Sequence, residues 1–261
     1  VVIDSHAHVM LPAEQQLEAM NAAKIDKTVL FTSTVHPETA ENLEALKAEL
    51  AKLYGLLKGN SNPRAERIAA IEQLKTAVAA APDRLLGFGT IPVGLTETEI
   101  SAWVEQYILG NGFYGIGELA IDQGQVFQLA PLFKVAAEMN GLPLWVHTFF
   151  PLEAADLREL LSLARQWSQV PLIMGHMGGV FWLETIEQAR ALPNVYLDLS
   201  AVFTTMAPAW AIRELPERVL FSSDAPYMDP ATAKTLIEGL VPGSDLRELV
   251  MGGNIARLLN L

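Results

Sequence analysis

Eight short apolar runs recur along this chain of 261 residues, and each leads into a segment with helical spacing. The runs fall at residues 1–3 (continuing into His6-Ala7-His8), 27–33, 84–91, 113–119, 142–147, 170–176, 195–200 and 219–224. Helical segments are predicted at 12–23, 37–58, 64–80, 97–109, 126–139, 153–167, 181–189 and 207–214, with helices from Pro230 and Ser244 closing the chain. Apolar strands separated by helices pair in parallel and are covered by those helices. Eight such units close a (β/α)8 barrel, and the length suits a single one. A doubly wound open sheet is the rival, but it would carry a Gly-rich phosphate turn after the first strand. This chain has His6-Ala7-His8 there. No internal repeat or low-complexity linker divides the sequence, so the expectation is an α/β protein with one TIM-barrel domain over residues 1–261. The two helices between the second and third strands are broken by Gly59-Asn60-Ser61-Asn62-Pro63, which carries turn chemistry. Residues 37–62 therefore read as a helical insertion after strand two, a candidate lid or dimer contact.

The chain has only five histidines, and four of them end predicted strands. His6 and His8 lie one pleat apart, so they project from the same face of the first strand. His147 ends the fifth strand and His176 the sixth, while Glu118 ends the fourth and Asp224 the eighth. In a parallel barrel the strand C-termini form the active-site rim, and closure sets strand eight beside strand one. All six side chains are thereby expected on one rim, with Asp224 next to His6 and His8. Imidazole and carboxylate together suit a catalytic divalent ion such as zinc, manganese, iron or nickel. Such an ion lowers the pKa of bound water to about 7, and Asp224 is the candidate carboxylate to take its proton.

Each residue alone has a plainer reading. Alternating histidines can form a polar strand face, and His147 or His176 can be hydrogen-bonded core or loop residues. Glu118 can be a buried ion-pair partner, and Asp224 a cap. The plain readings must explain six strand-end positions separately; one metal site explains them together.

Composition narrows the partners. A net charge of −12 opposes binding to phosphate backbones or anionic lipid. Cysteine is absent, which removes disulfides, thiolate ligands and cysteine nucleophiles. The expected partner is a small-molecule substrate, with no nucleic acid and no membrane, and cytoplasmic is the default location. Phe149, Phe150, Phe181, Trp182, Phe203, Tyr227 and Met228 follow strands five to eight. Phe149, Trp182 and Tyr227 are the candidate substrate wall, although any one of them can simply pack a loop. Arg64 is the best candidate to clamp an anionic substrate group. His36 either reaches the rim or precedes a helix start with Pro37 at its first position.

His6-x-His8, His147, His176 and Asp224 at these strand ends resemble the metal-binding pattern of the amidohydrolase superfamily. Ile3-Asp4-Ser5-His6-Ala7-His8, Gly175-His176-Met177-Gly178-Gly179, Val195-Tyr196-Leu197-Asp198-Leu199-Ser200 and Ser223-Asp224-Ala225-Pro226-Tyr227 are similar to its amidohydrolase-related (amidohydrolase 2) branch. That branch includes aminocarboxymuconate-semialdehyde and resorcylate decarboxylases, lactonases and many metal-dependent hydrolases. The likeness continues to Gly252-Gly253-Asn254-Ile255-Ala256-Arg257-Leu258-Leu259 and so covers nearly the whole chain. It implies that His6, His8 and His147 bind metal, with Asp224 as ligand and proton shuttle. His176 would hold a second ion, or sit over the substrate as in one-metal decarboxylases. Two-metal members with a carbamylated lysine carry Lys at the end of strand four, where this chain has Glu118; Lys134 lies on the next helix. Glu118 instead resembles the bridging glutamate of TatD-like hydrolases, so one ion or two, with zinc the first expectation, stays open. A homodimer is what family habit implies.

The resulting expectation is a metal-dependent hydrolase whose activated water attacks an amide, lactone or ester of a small organic substrate. The alternative is metal-dependent non-oxidative decarboxylation of an aromatic or enol acid. TatD-like phosphodiester hydrolysis comes third, and a non-catalytic metal-binding or scaffolding barrel is the rival from another class.

Overall fold

The computed structural model describes residues 1–12, 14–58 and 64–261. The turn predicted at 59–63 lies outside the described residues. Eight parallel strands follow one another in chain order: β1 (Ile3–His8), β2 (Lys27–Phe31), β3 (Leu85–Gly89), β4 (Gly115–Leu119), β5 (Leu144–His147), β6 (Leu172–Gly175), β7 (Val195–Asp198) and β8 (Val219–Leu220). Between them run α1 (Glu14–Ala23), α2 (Leu43–Leu57), α3 (Arg64–Ala80), α4 (Glu97–Trp103), α5 (Ala130–Glu138), α6 (Ala154–Gln166), α7 (Trp182–Ala189) and α8 (Met206–Glu214). The chain closes with α9 (Pro230–Leu240), α10 (Ser244–Glu248) and α11 (Asn254–Leu259). This is a (β/α)8 TIM barrel with α2 inserted after β2.

The seam between β8 and β1 is made by backbone donors rather than a long ladder. Ser5 N–H donates to Phe221 O at 2.9 Å, Asp224 N–H to His6 O at 2.7 Å, and His8 N–H to Ala225 O at 2.7 Å. The run at 219–224 pairs as a strand only over Val219–Leu220. The reason lies in the buried Asp4 carboxylate, which accepts from Ser223 N–H at 2.9 Å and from the Ser223 hydroxyl at 2.5 Å. Asp224 then turns left-handed, with φ 61°. That departure from the pleat aims its side chain across the seam toward the β1 histidines.

The predicted helix at 37–58 also divides. Pro37–Thr39 forms one 3-10 turn, and α2 starts afresh where the Asn42 side chain caps Ala45 N–H at 3.0 Å. His36 does not reach the cavity: its N–H donates to Glu49 at 2.9 Å and its Nδ1 lies 3.1 Å from Glu38.

Inside the barrel, Ile3, Val29, Phe31, Leu86, Phe88, Trp145, Ile173 and Leu220 pack together, joined by Ile255 and Leu259 of α11. Phe31 and Trp145 meet edge to face at 5.0 Å, and Phe88 meets Trp145 at 5.9 Å. Each such buried aromatic contributes about 1.5–3 kcal/mol by leaving water. Together they form the floor on which the His6 ring rests, 4.7 Å from Phe31 and 5.3 Å from Trp145.

Candidate metal centre

His6 is fully buried, and its ring is wired from behind. Asp198 at the end of β7 lies 2.7 Å from His6 Nδ1. A neutral imidazole so held carries its proton on Nδ1, leaving the Nε2 lone pair to face forward. That Nε2 is buried with no hydrogen-bond partner. It looks onto Glu118 Oε2 and Asp224 Oδ1, each 3.7 Å away. His8 Nε2 faces the same two groups at 3.7 and 3.3 Å.

The second cluster repeats the device. His176 Nδ1 lies 2.8 Å from Ser200 Oγ, whose hydroxyl donates to Asp198 at 3.0 Å. Ser200 therefore accepts from Nδ1–H, and His176 Nε2 is the forward lone pair. His147 Nε2 lies 2.9 Å from the carbonyl of Phe150, which can only accept, so the Nδ1 lone pair is forward here. These two acceptor nitrogens sit 3.1 Å apart, and both face Glu118 Oε1, at 3.1 Å from His147 and 3.2 Å from His176. Lone pairs brought so close repel unless a proton or a cation lies between them.

Glu118 is the hinge of the whole arrangement. Its Oε2 serves the His6/His8/Asp224 group and its Oε1 the His147/His176 pair. Gly175 makes the room: a Cβ there would lie 3.1 Å from Glu118 Oε1 and 3.0 Å from Val146 O. His176 and Met177 adopt φ of 62° and 56°, conformations that side chains rarely take, and the bend turns the chain out of β6 under the site. Gly179 continues it at φ 55°, where a Cβ would collide with the Phe149 ring.

The electrostatics agree with a demand for positive charge. Burial pushes the His6 pKa down, but Glu118, Asp198 and Asp224 overcome it and raise it to about 10. His176 is likewise raised against burial, chiefly by Glu118. Burial alone would raise Glu118, yet His6 and His147 hold it well below the usual carboxylate range. A divalent ion at either group meets the same demand with imidazole and carboxylate donors of the right type. The orphaned Nε2 of His6 is the atom that fits it best.

The centre opens into a cavity of about 880 Å³. Glu118, His8, His147, His176 and Asp224 line it, together with Phe149, Phe150, Tyr227 and, from α2, Leu53, Tyr54, Leu56 and Leu57. Tyr227 stands at right angles to the His8 ring at 5.8 Å. Phe149 and Tyr227 are thus on the wall, but Trp182 is not. It opens α7 and packs half-buried against the outer hydrophobic core, because the Gly178-Gly179 bend carries it past the rim. Arg64 is also displaced from its expected role: its guanidinium lies over the Trp103 ring, 5.0 Å from the centroid. One helical turn on, Arg67 lines the cavity instead. Lys134 forms an exposed pair with Glu97 at 2.5 Å and has no part in the centre.

A family model described as amidohydrolase matches residues 3–261. The chain belongs to the amidohydrolase family. It is, at that level, an enzyme of the amidohydrolase superfamily. No curated protein matches it in sequence. Among solved structures, 5-carboxyvanillate decarboxylase from Sphingomonas paucimobilis is 18% identical, with TM-score 0.69 over 100% of this chain and 99% of that one. Dihydroxybenzoic acid decarboxylase from Polaromonas sp. JS666, solved with manganese and 2-nitroresorcinol, is 17% identical, with TM-score 0.73 over 100% and 97%. A TIM-barrel protein from Bordetella bronchiseptica is 17% identical, with TM-score 0.71 over 99% and 98%. At such identities these structures establish the fold. Among the described residues no helix is long and apolar enough to cross a membrane.

Three partners of the centre had no role in the sequence reading: Asp198, Ser200 and Asp4. Asp198 and Ser200 stand in a quoted motif at a strand end, the position that marked Glu118 and Asp224. Asp4 lies one pleat before His6, so the alternation Asp4, His6, His8 pointed to it as well.

Proposed function

We propose that this amidohydrolase is a divalent-metal hydrolase in which Glu118 joins two ion sites. His6, His8 and Asp224 would hold one ion, His147 and His176 the other. The observation that carries the reading is the pair of opposed lone pairs, His147 Nδ1 and His176 Nε2, 3.1 Å apart on one oxygen of Glu118 whose other oxygen faces His6 and His8. When bound, divalent ions in such a donor set lower the pKa of water toward 7 and polarise a substrate carbonyl. The chain's own residues supply the rest. Asp224 lines the cavity, where it takes the proton of the attacking water and returns it to the leaving group. Asp198 and Ser200 keep His6 and His176 in the tautomers that present Nε2. The apolar wall from α2, Phe149 and Tyr227 holds an amide, lactone or ester of a small organic molecule and limits access of water.

A second reading is non-oxidative decarboxylation of an aromatic or enol acid. The similar solved structures favour it over hydrolysis, since two of those named above are decarboxylases that align over nearly their full length. There Asp224 or His176 would deliver a proton to the carbon that loses its carboxylate. The manganese of the Polaromonas enzyme puts manganese beside zinc as an ion to test.

Elemental analysis of protein purified without a chelating tag separates the readings when run beside a product assay. Close to two ions per chain, falling to one in Glu118→Ala, with amide or ester turnover and no carbon dioxide, supports the hydrolase. One ion per chain, unchanged by Glu118→Ala, with carbon dioxide released from hydroxybenzoates, establishes the lyase. No stoichiometric metal overturns both.

A further inference from the structure

Metal-site residues come from β1, β4, β5, β6, β7 and β8; β2 and β3 contribute none. On the β2–β3 side the cavity is lined instead by Thr32, Ser33, Thr90 and Arg67, beneath the apolar side chains of α2. Among the described residues, Arg67 is the only lysine or arginine on the cavity wall. It reaches that wall from α3, and its Nη1 donates to Thr90 Oγ1 at 2.7 Å. Thr90 is held in turn, since its carbonyl accepts from Trp103 Nε1 at 3.0 Å.

What Arg67 lacks is a counter-charge. Among the described residues no carboxylate forms an ion pair with it, and its Nε is buried with no acceptor. A chain with 30 acidic and 18 basic residues has carboxylates to spare, so an unpaired guanidinium here is not a matter of supply. Burial pulls the pKa of Arg67 down from its ordinary value, which shows that the surroundings disfavour its charge. A group that costs stability in the empty cavity is stabilised when an anion arrives with matching acceptors. The guanidinium fork matches a planar carboxylate, and a single cation suits a monoanion better than a phosphate dianion. A merely structural Arg67 would tie α3 to β3 through Thr90, which uses one of its five N–H groups.

We propose that Arg67, oriented by Thr90, is a carboxylate-binding subsite that selects organic acids with an apolar body between this carboxylate and the group presented to the metal centre. The anion site stands on Arg67 itself; calling its ligand a substrate rests on the metal-centre reading above. The substrate class narrows accordingly to amides, lactones or esters that carry a free carboxylate, or to diacids if the reaction is decarboxylation.

The test uses the metal-loaded full chain and two arylpropanohydroxamates that differ only at the far ring position. One carries a carboxylate and the other a primary carboxamide. Titration calorimetry should show the carboxylate form binding about tenfold tighter or more. In Arg67→Met that ratio should fall to about one, with the carboxamide's affinity and the metal content unchanged. Arg67→Lys should restore only part of the preference, because an ammonium keeps the charge without the fork. Equal affinities in the wild type, or a preference that survives Arg67→Met, overturns the proposal. If neither hydroxamate binds, the metal-centre reading falls, and the same comparison is made with 3-phenylpropionate and its amide. An acid preference that depends on Arg67 then still supports the subsite; no preference, or no binding, overturns it.

Discussion

The two sides of the cavity are built on opposite principles. On the side of β1, β4–β6 and β8, each candidate ligand histidine whose second nitrogen is placed has it tied to Asp198, Ser200 or Phe150 O, and the Gly175 backbone closes around Glu118. On the side of β2 and β3, α2 has no buried residue at all, and Arg67 lacks an ion-pair partner among the described residues. The first side is over-determined and holds chemistry to tight geometry. The second leaves a charge and an apolar roof facing the cavity, which is what recognition of a variable ligand requires. Chemistry and selectivity are thus carried by different strands, and an insertion can alter one without touching the ladder of the other.

Substitutions on the two sides should differ in kind as well as in size. Glu118→Gln removes the charge shared by the two proposed ion sites; turnover should fall by about a thousandfold or more, and metal content by about one ion per chain. A variant that kept both ions would break the division at its centre. Asp198→Asn leaves every proposed ligand in place but removes the carboxylate charge behind the His6 ring. Metal affinity, read by competition with a chromogenic chelator, should weaken about 10–100-fold. Gly179→Ala forces a Cβ into the Phe149 ring at a left-handed backbone position, and should cost about 1–3 kcal/mol of stability, seen as a lower thermal midpoint. Leu57→Ala on α2 opens the roof of the cavity. It should raise KM about threefold to tenfold while kcat and metal content hold. An equal loss of kcat in Leu57→Ala would mean that the roof shapes the reaction as well as the choice of substrate.

Much of the candidate metal side is legible in the one-dimensional chain because it depends on strand ends. His6, His8, Glu118, His147, His176 and Asp224 each terminate an apolar run, and closure of a parallel barrel makes such positions neighbours. The β2–β3 side was harder to read. Arg64 and Arg67 stand on the same helix, and sequence alone cannot say which faces inward: Arg64 covers Trp103, while Arg67 turns into the cavity. Trp182 reads as wall from its place after strand six, but the Gly178-Gly179 bend carries it outside.

By itself the sequence determined the number of strands, their parallel order and the chemical types gathered at their ends. Local periodicity and burial dictate these, and both are written in the order of residues. Only the tertiary structure decided which nitrogen of each imidazole faces forward, that the two oxygens of Glu118 address different histidine groups, and that Arg67 has no ion-pair partner among the described residues. Those properties depend on angles and on atoms brought together from strands more than a hundred residues apart, as when Asp198 meets His6. No pattern along the chain encodes a distance of 2.7 Å between them; closing the barrel does.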